Sequence, residues 1–365
     1  MVPLTKKMKR DFNVLLILFL LSLWLGSVSA EAAGTKATAG REKRVVTFVY
    51  FPTAVPVAVL GETMKRDRVL QKALEREGYR IEFRTFGKGP EAFPLIRQKR
   101  VDAILFSDMP SIEAVSTGEM LIVGTVKRSY ASVVARNGTM LEHLRRKKIG
   151  NLFGTTSHYA LLQALDSVRL TEQEVAITQM ELTQMPDALA QGKIDAFAAW
   201  EPIPTAALKK YPGQFNVIHR QVSLSYFLLS RQMVTDKPAV ADAFSAALIR
   251  AIRWMKKGNN LFTASRWALD GMQEFTGKSA TVSVADIAGI TRSDLLDVPA
   301  VPLISASEKD AASALGREFD FLQAIGKLPA QASRGHFLPA IRPDFLPRLL
   351  ARHAYYQLNT FDYAP

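Results

Sequence analysis

The chain carries one strand–helix–strand pattern twice. Ile81-Glu82-Phe83-Arg84-Thr85-Phe86 leads through a helical stretch and a tight turn into Arg100-Val101-Asp102-Ala103-Ile104-Leu105-Phe106. Later, Ile177-Thr178-Gln179-Met180-Glu181-Leu182 leads through residues 186–191 into Lys193-Ile194-Asp195-Ala196-Phe197-Ala198-Ala199. A strand, a helix and a second apolar strand form the βαβ unit, whose strands run parallel. Two units predict two lobes of the same build rather than one large sheet, and two copies are too few for a solenoid. Asp102 and Asp195 recur at matching places, where a carboxylate closing the turn at a strand start explains both.

Elsewhere the chain alternates in the same way. Val45-Val46-Thr47-Phe48-Val49-Tyr50-Phe51 reads as a buried strand ending at Pro52, and residues 69–77 as a helix closed by Gly78. The pattern is that of an α/β fold with a mainly parallel sheet. After Leu224 the style changes. Residues 238–257, 261–275 and 305–322 are helical in pattern, and the tail is rich in proline and aromatics. These segments are expected to pack outside the first lobe. Cysteine is absent, so the fold must rest on core burial, and about 330 residues beyond the first thirty suffice for two ordinary domains.

Lys6, Lys7, Lys9 and Arg10 precede an apolar run over residues 14–25, and Val28-Ser29-Ala30 gives a small-x-small ending before Glu31. This order reads as a secretory signal peptide cleaved after Ala30, followed by a flexible leader over 31–44. The apolar run is shorter than the roughly 20 residues of a bilayer-spanning helix. An uncleaved anchor is the alternative. Without a cysteine at the cleavage point the chain is not a lipoprotein, and the expected location is the periplasm. Net charge is +13, of which the signal segment holds +3 (four basic residues less Asp11), leaving +10. The charge is dispersed; its densest run, Arg145-Arg146-Lys147-Lys148, precedes an apolar strand and reads as a solvated helix end. With no nucleic-acid motif, a basic exported surface suits anionic solutes or an anionic membrane face.

Ligands of open α/β sheets settle beyond the carboxyl ends of strands. Four such ends are readable: Phe51-Pro52-Thr53-Ala54, Ser107-Asp108-Met109-Pro110-Ser111, Gly154-Thr155-Thr156-Ser157-His158, and Ala198-Ala199-Trp200-Glu201-Pro202. The hydroxyls of the third precede an apolar helix, where free backbone N–H groups and the helix dipole make an anion nook. A plain N-cap explains them as well. Trp200 and Glu201 suit a ligand with an apolar flank and a hydrogen-donating group, yet a core indole and a capping carboxylate fit equally. Five histidines and no cysteine show no H-x-x-x-H or H-E-x-x-H spacing, so no metal or cofactor is expected. Neither a G-x-S-x-G elbow nor a phosphate loop is present, so no catalytic residue is assigned.

Together, Gly154 to His158 before a Leu-rich helix and Ala190-Gln191-Gly192-Lys193-Ile194-Asp195-Ala196 running into Trp200-Glu201-Pro202 resemble the nitrate/sulfonate/taurine-type solute-binding proteins of ABC importers. These share a fold with a thiamine-pyrimidine precursor subgroup. Asp102-Ala103 through Ser107-Asp108-Met109-Pro110 looks like the matching first-lobe segment, and the resemblance covers roughly residues 45–345. It implies a two-lobed type II periplasmic-binding fold: lobe one over 45–130 and 223–304, lobe two over 131–222, and a helical C-terminal extension over 305–365. Crossovers near Ser129-Tyr130-Ala131-Ser132 and Ser223-Leu224-Ser225-Tyr226 would be the hinge. It further implies that Thr155, Thr156, Ser157 and His158 hold the polar end of a small solute, with Thr53, Ser107 and Asp108 opposite. Trp200 would be a wall, Glu201 would face a solute amine, and Ser225 and Tyr226 would lie at the crossover. The implied partners are a permease with its cytoplasmic ATPase, and the binder is expected to be a monomer. Asp108 and the apolar Phe51–Pro56 loop depart from a simple anion binder and favour a zwitterionic, aromatic or heterocyclic solute. Two rivals stand beside this reading: a membrane-anchored sensor or scaffold on the same fold, and a thiamine-pyrimidine-synthase-like enzyme.

Overall fold

The computed structural model describes residues 44–365. The expected signal peptide and all but the last residue of the leader lie outside the described residues.

Among the described residues eight strands are formed: β1 (Arg44–Tyr50), β2 (Tyr79–Thr85), β3 (Ala103–Ser107), β4 (Met120–Arg136), β5 (Lys148–Asn151), β6 (Ala176–Gln179), β7 (Ala196–Trp200) and β8 (Phe215–Ser230). They join in one sheet of order β2-β1-β3-β8-β4-β7-β5-β6. The expectation of separate, mainly parallel sheets is corrected here. The pairs β1–β2, β1–β3, β5–β6 and β5–β7 are parallel, whereas β3–β8, β4–β7 and β4–β8 are antiparallel. The cause is the length of β4 and β8. They pair from Met120↔Ser230 to Arg136↔Phe215, so the expected crossovers form one ribbon that supplies strands to both lobes.

The duplicated pattern survives at atomic detail. Asp102 accepts a hydrogen bond from the Thr47 amide at 2.9 Å, and Asp195 accepts one from the Lys148 amide at 2.9 Å. Their own amides return to the Thr47 carbonyl at 3.0 Å and the Lys148 carbonyl at 2.8 Å. Each aspartate thus ties the last strand of its unit to the adjacent parallel strand, a structural role in both copies.

Burial follows strand periodicity. Phe197 and Ala199 face one side of β7 with Val134 and Phe215, while Ala196 and Ala198 face the other with Ile149, Leu161 and Leu165. The first lobe has its own core around Phe48, Phe106, Phe227 and Phe244, to which Phe319, Phe337 and Leu346 of the C-terminal region belong. That region also reaches the second lobe, because Phe321 meets Tyr159 edge-on at 5.7 Å and Lys327 pairs with Glu172 at 2.9 Å. Among the described residues no helix is long and apolar enough to cross a membrane.

Candidate functional site

The strand ends of the two lobes face each other across a cleft. Its wide part is a groove of about 820 Å³ lined from the second lobe by Met180, Leu182 and Ile203 and from the first by Lys88, Met272 and Phe275. That size suits a small organic molecule. Beyond Gly87 and Lys88, which line both spaces, lies a smaller cavity of about 40 Å³, whose largely apolar wall includes Phe51 and Phe106 and into which Ser107, Lys127, Thr155, Thr156, Trp200 and Ser225 bring polar groups.

Five of the residues singled out in the sequence therefore meet at the inner cavity: Ser107, Thr155, Thr156, Trp200 and Ser225. Strand geometry explains part of this. Ser107 on β3 pairs with Ser225 on β8, and Ser225 pairs with Lys127 on β4, so the three form one row across the sheet. The first turn of the Thr156–Ser167 helix receives no side-chain cap, because the Thr155 hydroxyl turns back to the Leu152 carbonyl at 2.7 Å. An uncapped N-terminus leaves amide donors and the positive end of the helix dipole at the cavity wall.

Trp200 is 8% exposed and packs in the second-lobe core, yet its indole N–H has no partner. It is core on one face and lines the inner cavity on the other. Thr53 lines the groove, with its hydroxyl buried and unpartnered.

Asp108 lies at the junction of the lobes and is fully buried. Oδ1 accepts from the Thr156 hydroxyl at 2.5 Å and the Met109 amide at 2.9 Å, and Oδ2 accepts from the Leu224 amide at 3.0 Å. Burial pushes its carboxyl up, and these three donors together with Lys127 pull it down. Its oxygens are thus turned to protein donors in its own helix, the second lobe and the crossover.

Four other residues sit away from the cavity lining. Ser157 is buried, with its hydroxyl 2.9 Å from that of Thr155. His158 accepts from the Gly154 amide at Nδ1 (3.3 Å) and faces Glu172 through Nε2 at 3.2 Å. That pairing makes Nε2 the protonated nitrogen and leaves no ring position for a solute. Burial lowers the imidazole pKa, against the pull of Glu172. Glu201 accepts from the Thr205 amide at 3.3 Å, capping the next helix, and burial pushes its carboxyl up. Tyr226 faces away from the Ser225 row; its hydroxyl is buried and unpartnered.

Sequence reasoning missed Lys127. Alternation along β4 puts Val126 inside and therefore Lys127 outside. A bulge defeats that expectation: Thr125 pairs with Tyr226 and Lys127 with the next residue, Ser225, leaving Val126 as the extra residue. Both Val126 (0%) and Lys127 (3%) are then buried. The sequence signal was the Lys127-Arg128 pair interrupting an otherwise apolar or hydroxylic stretch.

Known proteins share this architecture. The model of the NMT1-like family matches residues 70–268. A putative aliphatic sulfonates-binding protein of Escherichia coli is 25% identical over 66% of this chain and 74% of its own length. The taurine-binding periplasmic protein of the same organism is 23% identical over 79% of this chain and 89% of its own. Among solved structures, the alkanesulfonate-binding protein SsuA of Xanthomonas axonopodis pv. citri, bound to MOPS, superposes with a TM-score of 0.62 at 19% identity, covering 82% of this chain and 98% of that one. The fold also carries catalysis: the desulfurization enzyme DszB superposes with a TM-score of 0.56 at 16% identity over 85% of this chain and 99% of its own.

Proposed function

Because the chain belongs to the NMT1-like family, whose model spans more than half of it, we propose that it is the extracytoplasmic solute-binding component of an ABC-type importer. The observation that carries this reading is the convergence of polar groups from both lobes on one cavity, continuous with a groove large enough for a small organic body. Thr156 and Asp108 bind each other across that cleft, so bringing the lobes together assembles the site. The solute is a small polar organic molecule of the sulfonate or taurine kind, or a heterocycle, with its polar end in the inner cavity and its body in the groove. A permease and its ATPase are the partners on this reading, the lobes move about the β4–β8 ribbon, and the binder works as a monomer in the periplasm.

Binding rather than catalysis is supported by His158, the one histidine at the four strand ends, which spends both ring nitrogens inside its own lobe. A thermal-shift screen of the protein from Glu31 tests the proposal. The panel holds taurine, alkyl and aromatic sulfonates, nitrate, bicarbonate, thiamine precursors and aromatic carboxylates. A ligand at about 100 times its dissociation constant adds about 2.7 kcal/mol of stability, a plain rise in melting temperature. Silence across the panel from folded, ligand-free protein overturns the transport reading in favour of a sensor or scaffold, which a retained N-terminus in membrane fractions would support.

A further inference from the structure

The inner cavity contains a charge that the protein leaves unmatched. Lys127 is 3% exposed, and its ammonium makes a single side-chain hydrogen bond, to the Ser223 hydroxyl at 3.3 Å. Among the described residues it has no ion pair. An ammonium offers three donors. Two of them have no side-chain partner, in a position where an unpaired charge is costly.

The nearby acids do not fill that role. Asp108 directs both oxygens to the Thr156 hydroxyl and to the Met109 and Leu224 amides. Glu201 caps its own helix at Thr205. Asp294 has Oδ2 buried and unpartnered, and Ser293 bonds its other oxygen at 2.7 Å. Burial lowers the Lys127 pKa, while Asp108, Asp294 and Glu201 act through space to keep its proton. They oppose the effect of burial through space and make no contact with the ammonium.

Beside the lysine stand further donors without acceptors. The Trp200 indole N–H is unpartnered in a side chain more than nine-tenths buried. Thr156, the first residue of the uncapped Thr156–Ser167 helix, lines the same cavity. A lone ammonium, an idle indole N–H and a helix N-terminus are complementary to an acceptor that carries negative charge. The cavity of about 40 Å³ admits only a compact head group, and the rest of a solute must lie in the groove.

We propose that Lys127 is the specificity-determining residue of the cleft, selecting solutes with a compact oxyanion head over neutral isosteres by pairing with that head beside the Trp200 N–H. This rests on the reading of the cleft as a solute site and adds the residue that discriminates within it.

The test compares the wild type with Lys127→Met, which keeps the length of the side chain and removes its charge. The probes are butane-1-sulfonate and benzoate, each with its neutral partner, butane-1-sulfonamide and benzamide. Titration calorimetry on the wild type should show at least one anion bound more tightly than its neutral partner. In Lys127→Met the affinity for that anion should fall by about tenfold or more, with the neutral partner little changed, so the preference collapses. A second readout needs no solute. Removing a buried charge that makes no ion pair should leave the melting temperature of the empty protein the same or higher, whereas removing a structural ion-pair partner would lower it. Equal anion binding by the two proteins overturns the role of Lys127 and leaves the binder reading intact. So does a wild type that prefers the neutral partners, or a marked loss of melting temperature in Lys127→Met. A wild type that binds none of the four probes, nor any member of the wider panel, overturns the binder reading and this proposal with it.

Discussion

Glu113, partly buried in the Asp108–Ser116 helix, has its carboxyl pushed up to about 7 by burial, with Arg97 drawing it the other way. A carboxyl whose folded-state pKa lies above its unfolded value favours folding while it holds its proton, below about 4.5, and withdraws that support as pH rises toward about 7. Melting temperature followed from pH 4 to pH 8 should therefore fall more in the wild type than in Glu113→Gln across that window. Parallel curves would show that Glu113 ionises freely in the folded state. Much at this scale was legible beforehand. Hydroxyls and an indole at strand ends stand out in a sequence, and five such residues meet at the cavity. Lys127 was hidden because one extra residue in β4 reverses its side, and nothing in the local composition announces a bulge. His158 misled for a different reason. Its place in the loop is at the site, but its ring is claimed by Gly154 and by Glu172, which lies beyond the end of the helix that His158 helps to start.

Among the elements, the βαβ repeats were readable because apolar periodicity and the basic-apolar-Asp-Ala start are local signals. Their boundaries moved by a few residues, as in β3, which begins at Ala103 rather than Arg100. The antiparallel pairings were not readable, since they depend on partners such as Ser107 and Ser225, which the chain brings together from afar. A further long-range element is the clamp on the Arg68–Arg76 helix. Asp67 caps that helix at the Val69 and Leu70 amides (2.9 and 3.0 Å), and its other oxygen receives Arg250 Nε at 2.9 Å. Arg250 also donates to the Tyr356 carbonyl at 3.2 Å, tying in the C-terminal segment. Both charged side chains are 2% exposed or less. Arg250→Met strands a buried carboxylate and should cost about 3–5 kcal/mol, read as a lower midpoint in urea unfolding. An unchanged midpoint would mean that the pair contributes nothing net.

For the molecule as a whole, three of the polar contacts between the lobes differ in their exposure to solvent. Thr156 meets Asp108 at the centre, Lys209 of the second lobe pairs with Asp286 of the first on one flank, and Glu172 pairs with Lys327 on another. The flanking pairs are partly solvated, so each is worth about 1 kcal/mol or less and is weakened by salt. Losing both should shift a nearly balanced equilibrium between apposed and parted lobes by about tenfold. The double variant Lys209→Ala/Lys327→Ala, free of solute, should show a larger radius of gyration in solution scattering, and the wild type should approach it at high salt. Identical scattering curves under all three conditions would show that the central contacts alone set the arrangement.

The β4–β8 ribbon also dictates when the protein can finish folding. β3 has β8 as one of its two neighbours, and residue 103 must wait for residue 229 to exist beside it. A growing chain can complete the two parallel βαβ units from local material. It cannot close the centre of its own sheet until the last strand arrives. Until then β3 and the whole length of β4 present open edges, the surfaces on which unfinished sheets stick to one another. Premature termination before residue 215 should therefore yield an aggregating fragment rather than a smaller working lobe.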